Sequence, residues 1–249
     1  KLMGAFADDS ARLYQFTREA QDAYAVESLT RAKRASSDGS FAREIAPVTV
    51  RTRKGEETVA VDEQPGKADP AKIPTLKPAF NKDGTVTAAN ASSISDGAAA
   101  LVMTRASVAE ALGLQPVARV VAHAAHAHEP GLFTTAPVPA MRKVLAKAGW
   151  STEDVDLWEI NEAFAVVAMI AMRDLGLEHE QVNVNGGACA LGHPIGASGA
   201  RILATPLGVA LVAVASADAI ALTVGVLILV TVAASVWAVD IRLDRRNSA

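Results

Sequence analysis

The sequence has a single cysteine and no excess of basic residues. Cys189 is the only cysteine among 249 residues, which excludes an internal disulfide framework and favours a reducing compartment. Lys and Arg total 24 against 27 Asp and Glu, so the chain lacks the positive charge that nucleic-acid binding uses. The first residue is Lys1, and no apolar secretory stretch follows it. We therefore expect a cytoplasmic protein that does not bind nucleic acid, and a chain that begins inside a longer one.

Half of the residues are hydrophobic, which is enough for a sizeable core. In the second half of the chain, short apolar runs alternate with helical patterns. The pattern predicts helices over Ala140–Ala148 and Glu162–Leu175, and strands over Leu157–Ile160 and Val182–Val184. This alternation predicts right-handed crossovers between parallel strands and therefore an α/β fold.

The first half of the chain is richer in charge and in turn residues. Apolar residues at three- and four-residue spacing predict one amphipathic helix over Asp9–Ser37. Ile45–Val50 and Thr58–Val61 flank a charged, glycine-containing turn and predict a hairpin. The apolar run Ala98–Met103 predicts a buried strand.

The C-terminal part is unusually apolar. Ala219–Val239 contains 21 residues without a charge, which is about the length that spans a bilayer, and three arginines follow it at positions 242, 245 and 246. The segment predicts an apolar C-terminal helix that contacts a membrane. The alternative is a buried core helix, but such helices are usually shorter and amphipathic.

Two stretches carry polar residues at the expected ends of strands. Asn161 lies between a predicted strand and a predicted helix, where α/β proteins bind ligands, although Asn is also a common helix N-cap. His193 lies in a loop, residues 186–199, that contains five glycines, and glycine lets the backbone approach a ligand closely. No Gly-Lys-Ser/Thr follows these glycines, which argues against a phosphate-binding P-loop. The histidine is therefore a candidate catalytic residue, with an ordinary surface histidine as the alternative.

Together these motifs resemble the thiolase family. Residues 161–165 read Asn-Glu-Ala-Phe-Ala, and residues 186–199 read Gly-Gly-x-x-Ala-x-Gly-His-Pro-x-Gly-Ala-Ser-Gly. Residues 84–99 and 15–22 are similar to the same family, so the resemblance runs from Lys1 to about Leu203. It implies a layered αβαβα sandwich, of which this chain would form a part.

The resemblance also implies a division into domains. Residues 1–93 would form part of the thiolase loop domain, and residues 94–115 the end of the N-terminal core domain. Residues 116–203 would form most of the C-terminal core domain. Residues 204–249 would be an apolar, membrane-like tail unlike the family.

Thiolases transfer acyl groups between coenzyme A thioesters. The resemblance therefore implies either thiolytic cleavage of 3-ketoacyl-CoA or Claisen condensation of acetyl-CoA. Coenzyme A and acyl-CoA would be the substrates, with no metal and no other cofactor. Members of the family usually form homo-oligomers.

Five residues match functional positions of the family. His193 corresponds to the histidine that activates the nucleophilic cysteine and donates to the thioester oxygen, and Asn161 to the residue that holds a water in the same oxyanion hole. Ser92 corresponds to a residue that contacts the pantetheine arm of coenzyme A. Met3 and Phe164 resemble residues that line the acyl and pantetheine tunnel.

The chain also departs from the family. The family nucleophile belongs to an N-terminal half that these residues do not contain, and Cys189 stands where the family has an ordinary apolar residue. The Cys-x-Gly-Gly-Gly segment of the family is absent from the sequence. We therefore expect the fragment itself to be inactive. The alternatives are a non-catalytic, membrane-anchored thiolase remnant and a partial or frame-shifted gene product joined after residue 203.

Overall fold

The structure, a computed structural model, describes residues 1–205 and the two residues 227–228. The strands are β1 (Val48–Thr52), β2 (Gly55–Val59), β3 (Trp158–Glu159) and β4 (Leu227–Ile228). The α-helices are α1 (Met3–Leu13), α2 (Arg18–Ser37), α3 (Glu63–Lys67), α4 (Ala106–Ala111), α5 (Pro137–Ala148), α6 (Ala165–Leu175) and α7 (Ala188–Leu191). Residues 198–205 are also helical. Short 3₁₀ turns lie at Pro70–Thr75, Pro130–Thr135, Thr152–Asp154 and His179–Gln181.

The N-terminal helical region consists of two helices and not one. The single helix predicted over Asp9–Ser37 is wrong, because the chain turns at Gln15, which has a left-handed φ of 55°. Thr17 then caps α2 by accepting a hydrogen bond from the backbone N–H of Ala20 at 3.1 Å. Helix α1 ends at Leu13, Thr17 starts α2, and the spacing of apolar residues does not reveal this break.

The hairpin prediction is confirmed, with slightly shifted strand bounds. Strands β1 and β2 pair in antiparallel register, with Val48 opposite Val59 and Thr52 opposite Gly55. Gly55 has a φ of 124°, which an L side chain would adopt only with strain. Nearly every hairpin residue is exposed, so the hairpin projects from the core.

The buried strand predicted over Ala98–Met103 is wrong. Residues 92–105 form neither helix nor strand, and Val102 is fully exposed. A strand needs a neighbour to pair its backbone N–H and C=O groups, and the described residues place none beside this segment. The residues 98–103 are apolar, but they are not buried in the described part of this chain.

The second half of the chain has the predicted helices and the first predicted strand, but the strand predicted over Val182–Val184 is a single bridge at Val182, because the chain turns at Asn183, which has a φ of 49°. Helix α5 ends at Ala148, as predicted, and is followed by Gly149 in the left-handed conformation; β3 lies within the predicted strand. Trp158 of β3 forms a parallel bridge to Val182, and β3 pairs in parallel with β4 on its other side. The fold is therefore α/β.

One large apolar cluster supports this sheet. Trp158 is almost completely buried between Met141 and Val144 of α5 and Ile170 of α6, together with Val182. A second cluster joins α1 to α6, and a third joins α2 to α7. These contacts fix the positions of the chain segments before α6 and before α7, and both segments carry predicted site residues.

The predicted apolar helix over 219–239 lies outside the described residues except at Leu227–Ile228. Those two residues form β4, so the helix is not continuous through them. In the described part of the chain, no helix combines the length and the apolar character needed to cross a membrane.

Candidate active site

Asn161 lies in the turn between β3 and α6, and it is not a helix cap. Helix α6 begins at Ala165, and the residue at its N-cap is Phe164. The side chain of Asn161 is therefore free for another role. Its Nδ2 lies 3.4 Å from Nε2 of His193, and its buried Oδ1 has no hydrogen-bond partner among the described residues. An amide held in this way offers a polar group to a bound water or ligand.

His193 follows Gly192 in the middle of the glycine-rich loop, residues 186–199. Gly192 has a φ of 88° and lies so close to Ser95 that a Cβ would come within 2.2 Å of its Oγ. The backbone N–H of His193 donates to the carbonyl of Ser93 at 2.9 Å. Burial, followed by the charge of Arg201, lowers the pKa of His193. The imidazole is therefore favoured in its neutral form, which a general base requires.

Ser92 is fixed to the same turn as Asn161. Its N–H and its Oγ both donate to the carbonyl of Ala163, at 3.1 and 3.0 Å. The preceding residue, Ala91, forms an isolated antiparallel bridge with Phe164. The lone pairs of the Ser92 hydroxyl remain available to accept a hydrogen bond.

Phe164 lies in an aromatic group behind this turn. Its ring packs edge-on against Phe80 and Phe133, with centroid distances of 6.0 and 6.2 Å. Phe80 in turn fills the space beside Gly4, where a Cβ would come within 2.2 Å of the ring. Met3 precedes that glycine and is 49% exposed at the start of α1. The structure thus brings Asn161, His193, Ser92 and Phe164 together and leaves Met3 at the surface.

Glu162 is the principal residue that the sequence analysis missed. Its carboxylate is completely buried. Oε1 accepts from the hydroxyl of Tyr24 and from Nδ2 of Asn183, both at 2.8 Å. Oε2 accepts from Ser28 Oγ at 2.8 Å and from the backbone N–H of Cys189 at 3.0 Å. This residue ties α2 and the glycine-rich loop to the residue next to Asn161.

A signal for Glu162 was present in the sequence. It is the only charged residue between Ile160 and Ala171, a stretch that is otherwise almost entirely apolar. A charge inside such a stretch indicates a buried group with dedicated partners.

Cys189 lies next to the candidate site without facing its histidine. Its Sγ donates weakly to the backbone carbonyl of Glu162 at 3.7 Å. Burial, followed by the nearby charge of Glu162, raises the pKa of the Cys189 thiol well above its ordinary value. A thiol in this setting stays protonated and is a poor nucleophile.

Two histidines outside the candidate site, His126 and His128, make ordinary polar contacts. His126 Nδ1 lies 3.1 Å from Nζ of Lys143, and His128 Nε2 lies 2.7 Å from the carbonyl oxygen of Leu132. Within residues 1–205, no group of three or more His, Cys, Asp or Glu side chains is arranged to hold a metal ion.

Similarity to known proteins connects this geometry to a family. Residues 1–107 match the model described as the N-terminal domain of thiolase, and residues 114–225 match that of the C-terminal domain. The chain belongs to the thiolase family. The match to the C-terminal domain continues 22 residues past Leu203, where the recognisable motifs end.

The thiolase chain is also similar to characterised relatives. It is 50% identical over 207 residues to acetyl-CoA acetyltransferase of Thiocystis violacea, covering 82% of this chain and 52% of that relative. It is 50% identical over 208 residues to cytosolic acetyl-CoA acetyltransferase of Mus musculus, with the same coverage. The chain thus spans about half the length of the curated relatives it matches.

Solved structures show the same fold. The crystal structure of acetyl-CoA acetyltransferase from Bacillus anthracis has a TM-score of 0.82 and 43% identity, covering 85% of this chain and 54% of that one. A thiolase from Ascaris suum in complex with coenzyme A has a TM-score of 0.76 and 40% identity, covering 84% and 54%. The fold is therefore a thiolase-like α/β fold.

Proposed function

We propose that this chain supplies the histidine and asparagine of an acyltransferase site that acts on coenzyme A thioesters. The reaction is thiolytic cleavage of 3-ketoacyl-CoA or Claisen condensation of acetyl-CoA. The observation that carries this proposal is the 3.4 Å approach of Asn161 to His193, beside the turn that holds Ser92. Relatives that are 50% identical over the 207 or 208 aligned residues are named acetyl-CoA acetyltransferases, which supports the same chemistry.

In the proposed reaction, Nε2 of His193 takes the proton of an attacking cysteine thiol. The N–H formed there donates to the thioester oxygen as negative charge develops on it, and Asn161 holds a water that provides a second donor. In the cleavage direction, the bond between the α- and β-carbons of 3-ketoacyl-CoA breaks, the acyl group passes to the cysteine sulfur, and acetyl-CoA leaves as an enolate that takes up the proton lost by the thiol. The thiol of a coenzyme A then takes the acyl group as a new thioester, and its proton returns to the cysteine sulfur. One oxyanion donor typically lowers the barrier by about 3–4 kcal/mol.

The attacking thiol in this scheme is not that of Cys189. This is the only cysteine in the sequence, and its raised pKa and its contact with Glu162 keep it protonated. We propose that the nucleophile belongs to polypeptide beyond these 249 residues and that the chain alone does not turn over substrate. We propose Ser92, Phe164 and Met3 as binding residues, because they match family positions that contact the pantetheine arm or line its tunnel.

The remaining assignments follow from the family. We propose coenzyme A as substrate, with no further cofactor, and a homo-oligomeric assembly of the complete protein. The mouse relative is named as cytosolic, and we propose the cytoplasm for this chain as well. We also propose the division into residues 1–93, 94–115 and 116–203 as parts of the loop, N-terminal core and C-terminal core domains.

Calorimetric titration of the chain with coenzyme A tests the binding half of this proposal. We expect measurable binding that Ser92→Ala weakens about fivefold, because one hydrogen bond to the carrier arm is worth about 1 kcal/mol. Ser37→Ala is the matched control, since that hydroxyl bonds only to the carbonyl of Arg34 at the end of α2. Absence of binding to the folded wild-type chain would contradict the proposal.

A chimaera tests the catalytic half. Joining the remaining half of the Thiocystis violacea relative to this chain gives a protein in which turnover of acetoacetyl-CoA can be measured. His193→Ala should lower kcat at least about 100-fold, because the histidine is both base and oxyanion donor. His128→Ala, which removes a histidine outside the site, should leave kcat unchanged. Near-normal turnover without His193 would remove this residue from the site.

A further inference from the structure

Both ring nitrogens of His193 have a polar neighbour. Nε2 lies 3.4 Å from Nδ2 of Asn161, and Nδ1 lies 2.6 Å from Oγ of Ser198. Ser198 is the first residue of the helical segment 198–205, and it is 2% exposed. Water therefore does not compete for the contact between Ser198 and the ring.

The proposed function, on which this inference rests, restricts where the ring can carry its proton. His193 must first offer a lone pair at Nε2 to take the thiol proton, and then offer the resulting N–H to the thioester oxygen. Both steps use the same nitrogen. The other nitrogen, Nδ1, must therefore carry a hydrogen in the neutral ring and keep it in the cationic ring.

Ser198 is placed to accept that hydrogen. A hydroxyl that accepts from Nδ1–H needs a different acceptor for its own hydrogen, and the carbonyl of Pro194 lies 3.2 Å from Oγ. The same carbonyl accepts the backbone N–H groups of Ala197 and Ser198, at 2.8 and 2.9 Å, so its position relative to Oγ is fixed. On the other side of the ring, Nδ2 of Asn161 lies 3.4 Å from Nε2.

We propose that Ser198 is a positioning residue that accepts the hydrogen bond of His193 Nδ1–H and thereby keeps the Nε2 lone pair directed at the reacting thiol. The hydrogen bonds then run from Nδ1 to Ser198 Oγ and from Oγ to the carbonyl of Pro194, and Nε2 keeps its lone pair. In the cationic state, Ser198 continues to accept from Nδ1, so the hydrogen bond on this side of the ring is the same in both steps. A histidine paired in this way is set for its task before the substrate arrives.

The protonation state of the free chain supports a direct test. Burial and the charge of Arg201 lower the pKa of His193, which favours the neutral ring slightly above neutral pH. The opposite arrangement, in which Ser198 O–H donates to Nδ1, places the hydrogen on Nε2. The two arrangements exchange the protonated and unprotonated nitrogens of the ring and so differ in their nitrogen spectra.

The experiment is a long-range ¹H–¹⁵N correlation spectrum of the complete 249-residue chain labelled with ¹⁵N-histidine. The chain has five histidines, and the signal that disappears in His193→Gln belongs to His193. We expect a protonated, pyrrole-type Nδ1 and an unprotonated, pyridine-type Nε2 in the wild-type protein. A wild-type spectrum with the proton on Nε2 would overturn the proposal.

Variants of Ser198 show whether the serine sets the tautomer. Ser198→Ala should move the proton to Nε2, the form that imidazole prefers in water, and Ser198→Thr should restore it to Nδ1. The matched control is Ser10→Ala. Ser10 is also 2% exposed, and it also bonds to the carbonyl four residues before it, but its partner hydroxyl belongs to Thr134. A His193 spectrum unchanged in folded Ser198→Ala would refute the role of the serine.

This test and the test of the proposed function have separate outcomes. If coenzyme A does not bind but Nδ1 is protonated and depends on Ser198, the proposed function fails and the hydrogen-bond assignment stands. If coenzyme A binds but the proton is on Nε2, only the role of Ser198 fails. In the chimaera, Ser198→Ala should lower kcat and leave KM unchanged, because Ser198 acts through His193 and does not touch the carrier arm.

Discussion

At the scale of single residues, the candidate site depends on buried polar groups with nearly complete sets of partners. Glu162 accepts four hydrogen bonds, and the site residues Asn161 and His193 lie on the two segments that it connects. The sequence placed Asn161 directly after one predicted strand and His193 in the loop that follows the next predicted strand. It did not show that a carboxylate joins them, because its partners Tyr24 and Ser28 are more than a hundred residues away in the sequence.

The first prediction concerns the charge of Glu162. Each carboxylate oxygen faces one donor that cannot reverse its direction, the Nδ2 group of Asn183 and the backbone N–H of Cys189. In Glu162→Gln, the new NH₂ group must oppose one of these donors. We expect the variant to lower the free energy of unfolding by about 3 kcal/mol, against about 1 kcal/mol for Tyr24→Phe, which removes one donor to Glu162 and a longer contact, at 3.3 Å, that accepts from Nδ2 of Asn183.

Urea denaturation followed by circular dichroism measures both values. Glu57→Gln, on the exposed hairpin, is the control for loss of a carboxylate and should change stability very little. Equal stabilities for Glu162→Gln and Tyr24→Phe would show that the charge of Glu162 is not required.

The second prediction concerns Glu159 of β3, which is 4% exposed. Burial raises its pKa to about 8, with the charges of Glu162 and Glu44 adding to the effect and Arg201 opposing it. The folded chain therefore holds a proton that the unfolded chain has released between about pH 4.5 and pH 8. The contribution of Glu159 to the free energy of unfolding is therefore complete below about pH 4.5 and is lost as the pH rises to about 8.

Glu159→Gln keeps the shape of the side chain and cannot ionise. Its stability relative to the wild type should therefore increase with pH, with a slope of up to about 1.4 kcal/mol per pH unit between pH 5 and pH 8. Thermal or urea unfolding of both proteins across this range gives the difference. A difference that does not vary with pH would indicate that Glu159 ionises normally in the folded chain.

At the scale of elements, local signals predicted well where neighbouring residues alone decide the structure. Helix α5 ends at the predicted Ala148, and Ser151 and Asp154 form a capping box three residues apart. The strand predicted over 98–103 failed because pairing partners from elsewhere decide whether an apolar run becomes a strand. For the same reason, the sequence placed His193 in a loop correctly but gave no indication that Ser198 would contact its ring.

The third prediction concerns the glycine-rich loop. Gly192 has φ 88° and ψ 168°, a region of backbone conformation that side chains avoid, and a Cβ there would also collide with Ser95. Gly149 has a φ of 72° but open space around its Cβ position. Gly192→Ala should therefore cost about 3 kcal/mol or more, against about 1 kcal/mol for Gly149→Ala, which carries the backbone strain alone.

The same pair of variants separates stability from function. Because Gly192 precedes His193, displacement of the loop should change the His193 signal in the nitrogen spectrum, whereas Gly149→Ala should not affect it. A Gly192→Ala protein with wild-type stability and an unchanged His193 signal would show that this close approach is not needed.

At the scale of the whole molecule, this chain spans about half the length of the relatives it matches. It brings together His193, Asn161 and Ser92 beside the turn before α6, and its only thiol, that of Cys189, is half-buried next to them. The apolar run 98–103 is mostly exposed and has no strand partner in the described part of the chain. Composition could identify these residues as apolar, but only the arrangement of the whole chain decides whether they are covered.

The last prediction is that the purified chain binds coenzyme A but does not cleave acetoacetyl-CoA above the buffer rate. The loss of acetoacetyl-CoA absorbance measures turnover, and calorimetric binding of coenzyme A shows in the same sample that the site is formed. The raised pKa of Cys189 leaves too little thiolate for attack, and its Sγ contacts the backbone of Glu162 and not His193. Cys189→Ser should therefore have no effect on either measurement. Turnover by the wild-type chain that disappears in Cys189→Ser would make this cysteine the nucleophile and would require the loop to rearrange so that the thiol reaches His193.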